Sequence, residues 1–142
     1  MKISELRLAP VEMTLLHPIT NEELTIDGDP VKLLVVSQDS KEFHLALYDM
    51  QTKIRSKFEE TQKIPDGIEQ ASAIYNMVSG LVVGWNAAAE KCFADEVPDG
   101  KFTIAAAEKI ISDPSLFWIA KQVDKFIVVR TRFFPKQSET PA

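Results

Sequence analysis

Cysteine is almost missing from this chain. Cys92 stands alone among 142 residues, so no intrachain disulfide can form and the fold must rest on its own packing. A reducing compartment suits that composition, and the single thiol reads as a small, inert apolar side chain. Histidine is nearly as scarce. His17 and His44 stand far apart, and no CxxC, HxxxH or HExxH spacing occurs, which removes the usual zinc ligand sets. GxGxxG, Walker A and GxSxG patterns are also lacking, and with them the commonest nucleotide sites and hydrolase elbows.

Long hydrophobic runs are missing too. The central run, Gly80 to Trp85, falls far short of the roughly 20 residues that span a bilayer. Met1 to Arg7 holds no continuous apolar stretch, so a secretory signal is not expected and neither is a membrane partner. With 16 basic against 21 acidic residues the net charge is −5, which argues against a nucleic-acid partner, because such binding draws its affinity from phosphate neutralisation. Asp27-Gly28-Asp29 superficially suggests calcium, but Pro30 and an apolar run follow where further ligands are needed. Glu59-Glu60 and Asp95-Glu96 read as solvated surface pairs. No catalytic, metal-binding or cofactor-binding residue is assigned, no cofactor is expected, and the chain is not expected to be an enzyme.

What is present is the composition of a globular domain, 45% hydrophobic and 26% charged, long enough to bury its own core. A single α+β domain is expected over residues 1–135, with a disordered tail over 136–142. Val11 to His17 alternates apolar and polar residues as a strand and stops at Pro18. Ile19 to Ile26 has room for a short second strand, Asp27-Gly28-Asp29-Pro30 is a turn, and Val31 to Val36 is a β-branched strand. These predict a small N-terminal antiparallel sheet. About four helices follow.

The first helix opens at Asp39-Ser40, with Asp39 and Glu42 at capping-box spacing, and carries Phe43, Ala46, Leu47, Met50, Ile54 and Phe58 on one face until Pro65-Asp66-Gly67. The second is predicted from about Ile68 to Val83, with Val78, Leu81 and Val82 as its most buried side chains and Gly80 and Gly84 admitting a close neighbour. Ala87 to Lys101 reads as a connector. Thr103 caps a third helix to about Ile111, and Asp113-Pro114 starts the last. On that last helix Phe117, Ala120, Val123, Ile127 and Arg130 recur at helical spacing.

The same helix carries more apolar residues than one face can hide. Phe117-Trp118, Phe126-Ile127-Val128-Val129 and Phe133-Phe134 are consecutive, and successive helical residues point about 100° apart. From Lys121 onward five basic residues stand against two acidic ones, a local charge of +3 on an otherwise acidic chain. The expected protein-binding surface is therefore Trp118, Phe126 and Phe133, rimmed by Lys121, Lys125 and Arg130. A homo-oligomer would use the same surplus.

The order of Leu81-Val82-Val83-Gly84-Trp85-Asn86, then Phe102-Thr103, then Asp113-Pro114, then Gln122-Val123-Asp124-Lys125-Phe126-Ile127 resembles the C-terminal half of phage tail assembly chaperones. In the N-terminal half, the strand ending at His17-Pro18 and the helix opening at Ser37-Gln38-Asp39-Ser40 are similar to that family as well. The resemblance spans about Val11 to Phe134. One departure is the longer, alanine-rich stretch from Ala87 to Val97, which would extend the helix and alter a contact surface. The resemblance implies a phage or prophage protein acting in the host cytoplasm. Such a protein is a non-enzymatic chaperone of siphophage-like or myophage-like tails that binds the tape measure protein and keeps it soluble. It also promotes polymerisation of the tail-tube protein and is absent from the mature virion. The alternatives are a structural tail protein, either a tube or a terminator subunit, or a small non-catalytic regulatory binding protein.

Overall fold

The structure, a computed structural model, describes residues 2–3, 8–63 and 66–134. The tail expected over 136–142 lies outside the described residues. Alternating apolar residues build the first strands as expected: β1 (Val11–Thr14) and β4 (Lys32–Val35) pair antiparallel, Met13 opposite Leu33. Between them β2 (Thr25–Ile26) and β3 (Asp29–Pro30) form a short hairpin. Its two turn residues, Asp27 and Gly28, have φ of 53° and 85°, the positive values of a type I′ turn. His17 ends the first strand segment by accepting the amides of Ile19 and Thr20 on its Nδ1.

α1 (Lys41–Thr61) starts on Ser40, whose hydroxyl accepts the Phe43 amide at 3.2 Å. Asp39 was the other candidate cap; its carboxylate is held elsewhere, by Arg130. Gln62 closes the helix in the left-handed region. Asp66 then caps α2 (Gly67–Ser79) by accepting the Glu69 amide. A short connection between helices of this kind returns the chain antiparallel, and Lys57 near the end of α1 meets Glu69 near the start of α2 at 3.3 Å.

The second helix does not reach Val83. It stops at Ser79, turns through Gly80-Leu81, and the chain enters the sheet as β5 (Val82–Trp85), pairing antiparallel with β4 in the order β1-β4-β5. A short apolar run satisfies either period, and here the β-branched Val82 and Val83 decide for a strand because β4 offers a free edge. Val78, Leu81 and Val82 are buried as expected, at 0%, 0% and 3% exposure. Burial of side chains this size contributes about 1.5–3 kcal/mol each.

The connector after β5 is partly helical. Asn86 caps α3 (Ala87–Cys92) by accepting the Ala89 amide, accepts the Lys32 amide as well, and donates to the Pro30 carbonyl. One side chain thus ties α3 to the start of β4. The alanine-rich stretch does not lengthen the preceding helix; Ala88 and Ala89 are buried and let α3 lie close to β2 and β4. Trp85 donates its indole N–H to the Gly100 carbonyl and meets the rings of Phe93 and Phe102 edge-on, at 4.9 and 5.0 Å between centroids. Thr103 caps α4 (Ile104–Ile111), and Asp113-Pro114 opens a 3₁₀ turn that runs into α5 (Phe117–Ile127).

Helices α2, α4 and α5 pack on one face of the sheet, where Met13, Leu33, Val35 and Val82 join Val78, Ile110, Ile119, Val123 and Ile127 in one core. A small antiparallel sheet with helices gathered on one side makes the fold α+β. Gly80 and Gly84 are not sites of forced close approach: an added Cβ would meet ordinary contacts, 3.4 Å from the Met77 oxygen and 3.6 Å from Leu34. The forced approach is at Gly100, where φ is +65° and a Cβ would overlap the Glu90 carbonyl. Gly100→Ala is therefore expected to destabilise the protein by about 3 kcal/mol, whereas Gly84→Ala should stay within about 1 kcal/mol of the parent. Urea unfolding of the two variants measures the contrast.

Candidate protein-binding surfaces

The expected site at the end of the chain is divided by a change of backbone. α5 ends at Ile127, and a 3₁₀ turn over Arg130–Arg132 swings the chain inward. Phe133 is consequently buried, at 5% exposure, with its ring edge-on to Phe126 at 5.7 Å. It belongs to the core and not to a surface, which corrects its place in the expected site. The surplus of consecutive apolar residues was counted on a helix continuing past Ile127; the turn gives Phe133 a second direction. Trp118 and Phe126 are half-buried and pack against the core, while Lys121 and Lys125 are exposed.

Arg130 is exposed but engaged. Its guanidinium donates to both Asp39 oxygens, from Nε at 2.8 Å and Nη2 at 3.1 Å. Together with Gln38, whose backbone amide reaches the Ile127 carbonyl and whose side chain reaches that of Val128, this pair fastens the end of α5 to the turn before α1. Hydrogen bonds from Arg130 lower the Asp39 pKa, and its positive charge adds to the effect. The same pairing raises that of Arg130.

A second surface lies on α1. All 21 of its residues are described, and none is buried. Phe43 and Ala46 pack on the core, and α2 covers much of the same stripe. Leu45 and Tyr48 lie on the far face, 62% and 66% exposed. Phe58 near the end of α1 and Ile74 on α2 are exposed as well. Between α1, α2 and α4 runs a groove of about 160 Å³, lined by Ala46, Met50, Ala73, Met77 and Ile104, the last 77% exposed. Exposed apolar groups on both helices make them a candidate interaction surface. The signal was legible: Leu45 and Tyr48 break the polar side of an otherwise well-patterned helix.

A third feature joins α5 to the first strand. Gln122 donates from Nε2 to the Leu16 carbonyl and accepts the Leu16 amide on Oε1, both at 2.8 Å. Next to this clamp a groove of about 450 Å³ runs between β1 and α5, bounded by Glu12, Thr14, Lys125, Phe126 and Arg132. The Arg132 guanidinium lies over the Phe126 ring, 4.3 Å from its centroid. Gln122 and Arg132 had no part in the expected site, because nothing local shows that β1 comes beside α5.

The groups that composition flagged for chemistry are placed separately. Among the described residues no three His, Cys, Asp or Glu side chains gather as a metal-binding group. His17 caps a turn, His44 sits edge-on to Phe43, and burial pushes the half-buried Cys92 thiol up. Among the described residues no helix is long and apolar enough to cross a membrane.

The Asp39–Arg130 pair sets a pH dependence. The folded-state pKa of Asp39 lies below the unfolded one, so its stabilisation is present above the ordinary carboxylate pKa of about 4 and fades as pH falls through the folded value. Asp39→Asn should be less stable than the parent near neutrality and should converge with it in acid, as urea midpoints at the two pH values will show. Because the pair is exposed, high salt should narrow the same gap.

Compared with known proteins, the chain matches no family model, no curated protein and no solved structure at a significant level.

Proposed function

We propose that this protein is a phage or prophage tail assembly chaperone: a non-enzymatic binding protein of the host cytoplasm that holds the tape measure protein soluble and promotes assembly of the tail-tube protein around it. The observation that carries the reading is α1, a helix of 21 residues with none buried, presenting Leu45 and Tyr48 to solvent, while Ile74 on α2 and Ile104 on α4 are exposed as well. An amphipathic helix of a client would carry an apolar stripe of its own, and two such stripes bury each other at i, i+3 and i+4 spacing. The resemblance through Leu81–Asn86, Phe102-Thr103 and Gln122–Ile127 supplies the choice of client. Those residues serve architecture here: Trp85 packs on Phe102, Asn86 caps α3 and Gln122 clamps Leu16. A shared order of such packing signals is what common ancestry would leave in a protein without catalytic residues. The alternative of a tube or terminator subunit sits less well with short strands and dominant helices.

Co-expression with the tape measure protein tests the proposal. The parent chain should keep the client in the soluble fraction, and Leu45→Glu combined with Tyr48→Glu should lose that ability. Both side chains are exposed in the isolated protein, so the double variant should keep its circular dichroism and lie within about 0.5 kcal/mol of the parent per substitution. A folded double variant that still holds the client soluble would remove α1 as the binding surface. A parent chain that never solubilises it would remove the chaperone reading itself.

A further inference from the structure

Antiparallel pairing leaves half of an edge strand's polar backbone groups pointing away from its partner. β1 is an edge strand, with β4 as its only neighbour among the described residues. The Leu15 amide donates to the Val31 carbonyl on the β4 side, so residues alternating with Leu15 face the partner and Glu12, Thr14 and Leu16 face outward. Leu16 is already satisfied: Gln122 makes with it the donor and acceptor pair that a neighbouring strand would make. Glu12 and Thr14 continue the same edge into the 450 Å³ groove beside α5. Among the described residues the groove thus contains an unpaired strand edge, one wall of Phe126, and two cations, Lys125 and Arg132.

We propose that this groove binds an extended acidic segment of another protein by strand addition, the segment pairing its backbone with Glu12 and Thr14 and placing carboxylates against Lys125 and Arg132. Four residues of β1 run about 13 Å, so the segment needs only a few residues in register. Main-chain hydrogen bonds supply the affinity of such complexes, and alternate side chains supply the selectivity. Alternate side chains of an added strand share one face, so the guest's carboxylates on the side of α5 meet Lys125 and Arg132, and stacking on Phe126 already holds the Arg132 guanidinium in place. Among the described residues Glu12 is the one acid on the rim, and it is paired with Lys32 at 3.4 Å, so the groove keeps a positive balance. A second copy of this chain is disfavoured as the occupant, because pairing two β1 edges brings the same cations face to face. The site is separate from the α1 surface and stands or falls without it.

The test uses the full chain and three short fluorescein-labelled peptides: alternating valine and glutamate, alternating valine and lysine, and the valine–glutamate peptide N-methylated at every second amide. Fluorescence anisotropy should show the first bound, with the lysine peptide weaker and the N-methylated one weaker on the order of tenfold, the effect of losing a few backbone hydrogen bonds. Lys125→Glu with Arg132→Glu should reverse the preference between the glutamate and lysine peptides. Thr14→Pro removes an outward amide that β4 does not use, and edge strands tolerate proline; it should weaken the glutamate peptide while leaving circular dichroism native. Should that variant fail to fold, hydrogen exchange on the parent decides: the Glu12 and Thr14 amides should become protected when the glutamate peptide is added. Equal binding of the N-methylated peptide, or no change on charge reversal, would overturn the proposal. So would protection of those amides that rises with protein concentration in the absence of peptide, which would assign the edge to a second copy.

Discussion

Pairing of β5 with β4 decides where every later element can go. It brings Val82 to Trp85 back across about a third of the chain to lie against Lys32 to Val35, and so places β4 at the centre of the sheet. Once there, Asn86 reaches the start of β4 and the Pro30 carbonyl, and Trp85 reaches Gly100, Phe93 and Phe102. α3 and the turn before α4 are fixed by those contacts. α4 and α5 then have a sheet face to cover, with Leu33, Val35 and Val82 on it. The backbone hydrogen bonds of β5 are individually modest, about 0.5–1.5 kcal/mol net each. Their importance lies in orienting Trp85 and Asn86, whose side chains join the remaining parts.

Stability is distributed unevenly as a result. Sheet, α4, α5 and the second half of α2 share one core, whereas the distal half of α1 is exposed along nearly all its length. A helix so lightly packed gains little beyond its own hydrogen bonds and its contact with α2, and helices in isolation are marginal in water. Such a region opens at low free energy compared with the core. Binding surfaces are drawn from that end of the range, since a segment that can adjust loses less on meeting a partner than one whose packing must be disrupted.

The two surfaces differ in the physics they offer. α1 and α2 present apolar side chains on helices whose backbone is already paired, so a partner gains area and little else. The edge of β1 presents backbone donors and acceptors beside two cations, so a partner gains hydrogen bonds and charge pairing. The two proposed occupants, a helical stripe and an extended acidic strand, differ accordingly. Both surfaces are anchored to the same core, α1 through Phe43 and Ala46 and the groove through Met13 and Phe126.

The sequence by itself determined what depends on neighbouring residues. The caps at Ser40 and Thr103 act within three residues of themselves, and Asp27-Gly28 turns its hairpin through its own backbone preference. Strand alternation and helical stripes followed in the same way, and with them the α+β class. The tertiary structure alone decided what depends on a distant partner. Leu81 to Trp85 suits a helix or a strand until β4 offers an edge, and Asp39 is a plausible cap until Arg130, 91 residues away, takes its carboxylate. Phe133 looks like surplus surface until a 3₁₀ turn points it inward. Of the expected binding residues, Lys125 and Phe126 line a groove only because Gln122 holds α5 to Leu16, just past β1 and 106 residues earlier. Periodicity carries information over a few turns of one element; which elements become neighbours is settled by burying all their faces at once, and no single segment contains that solution.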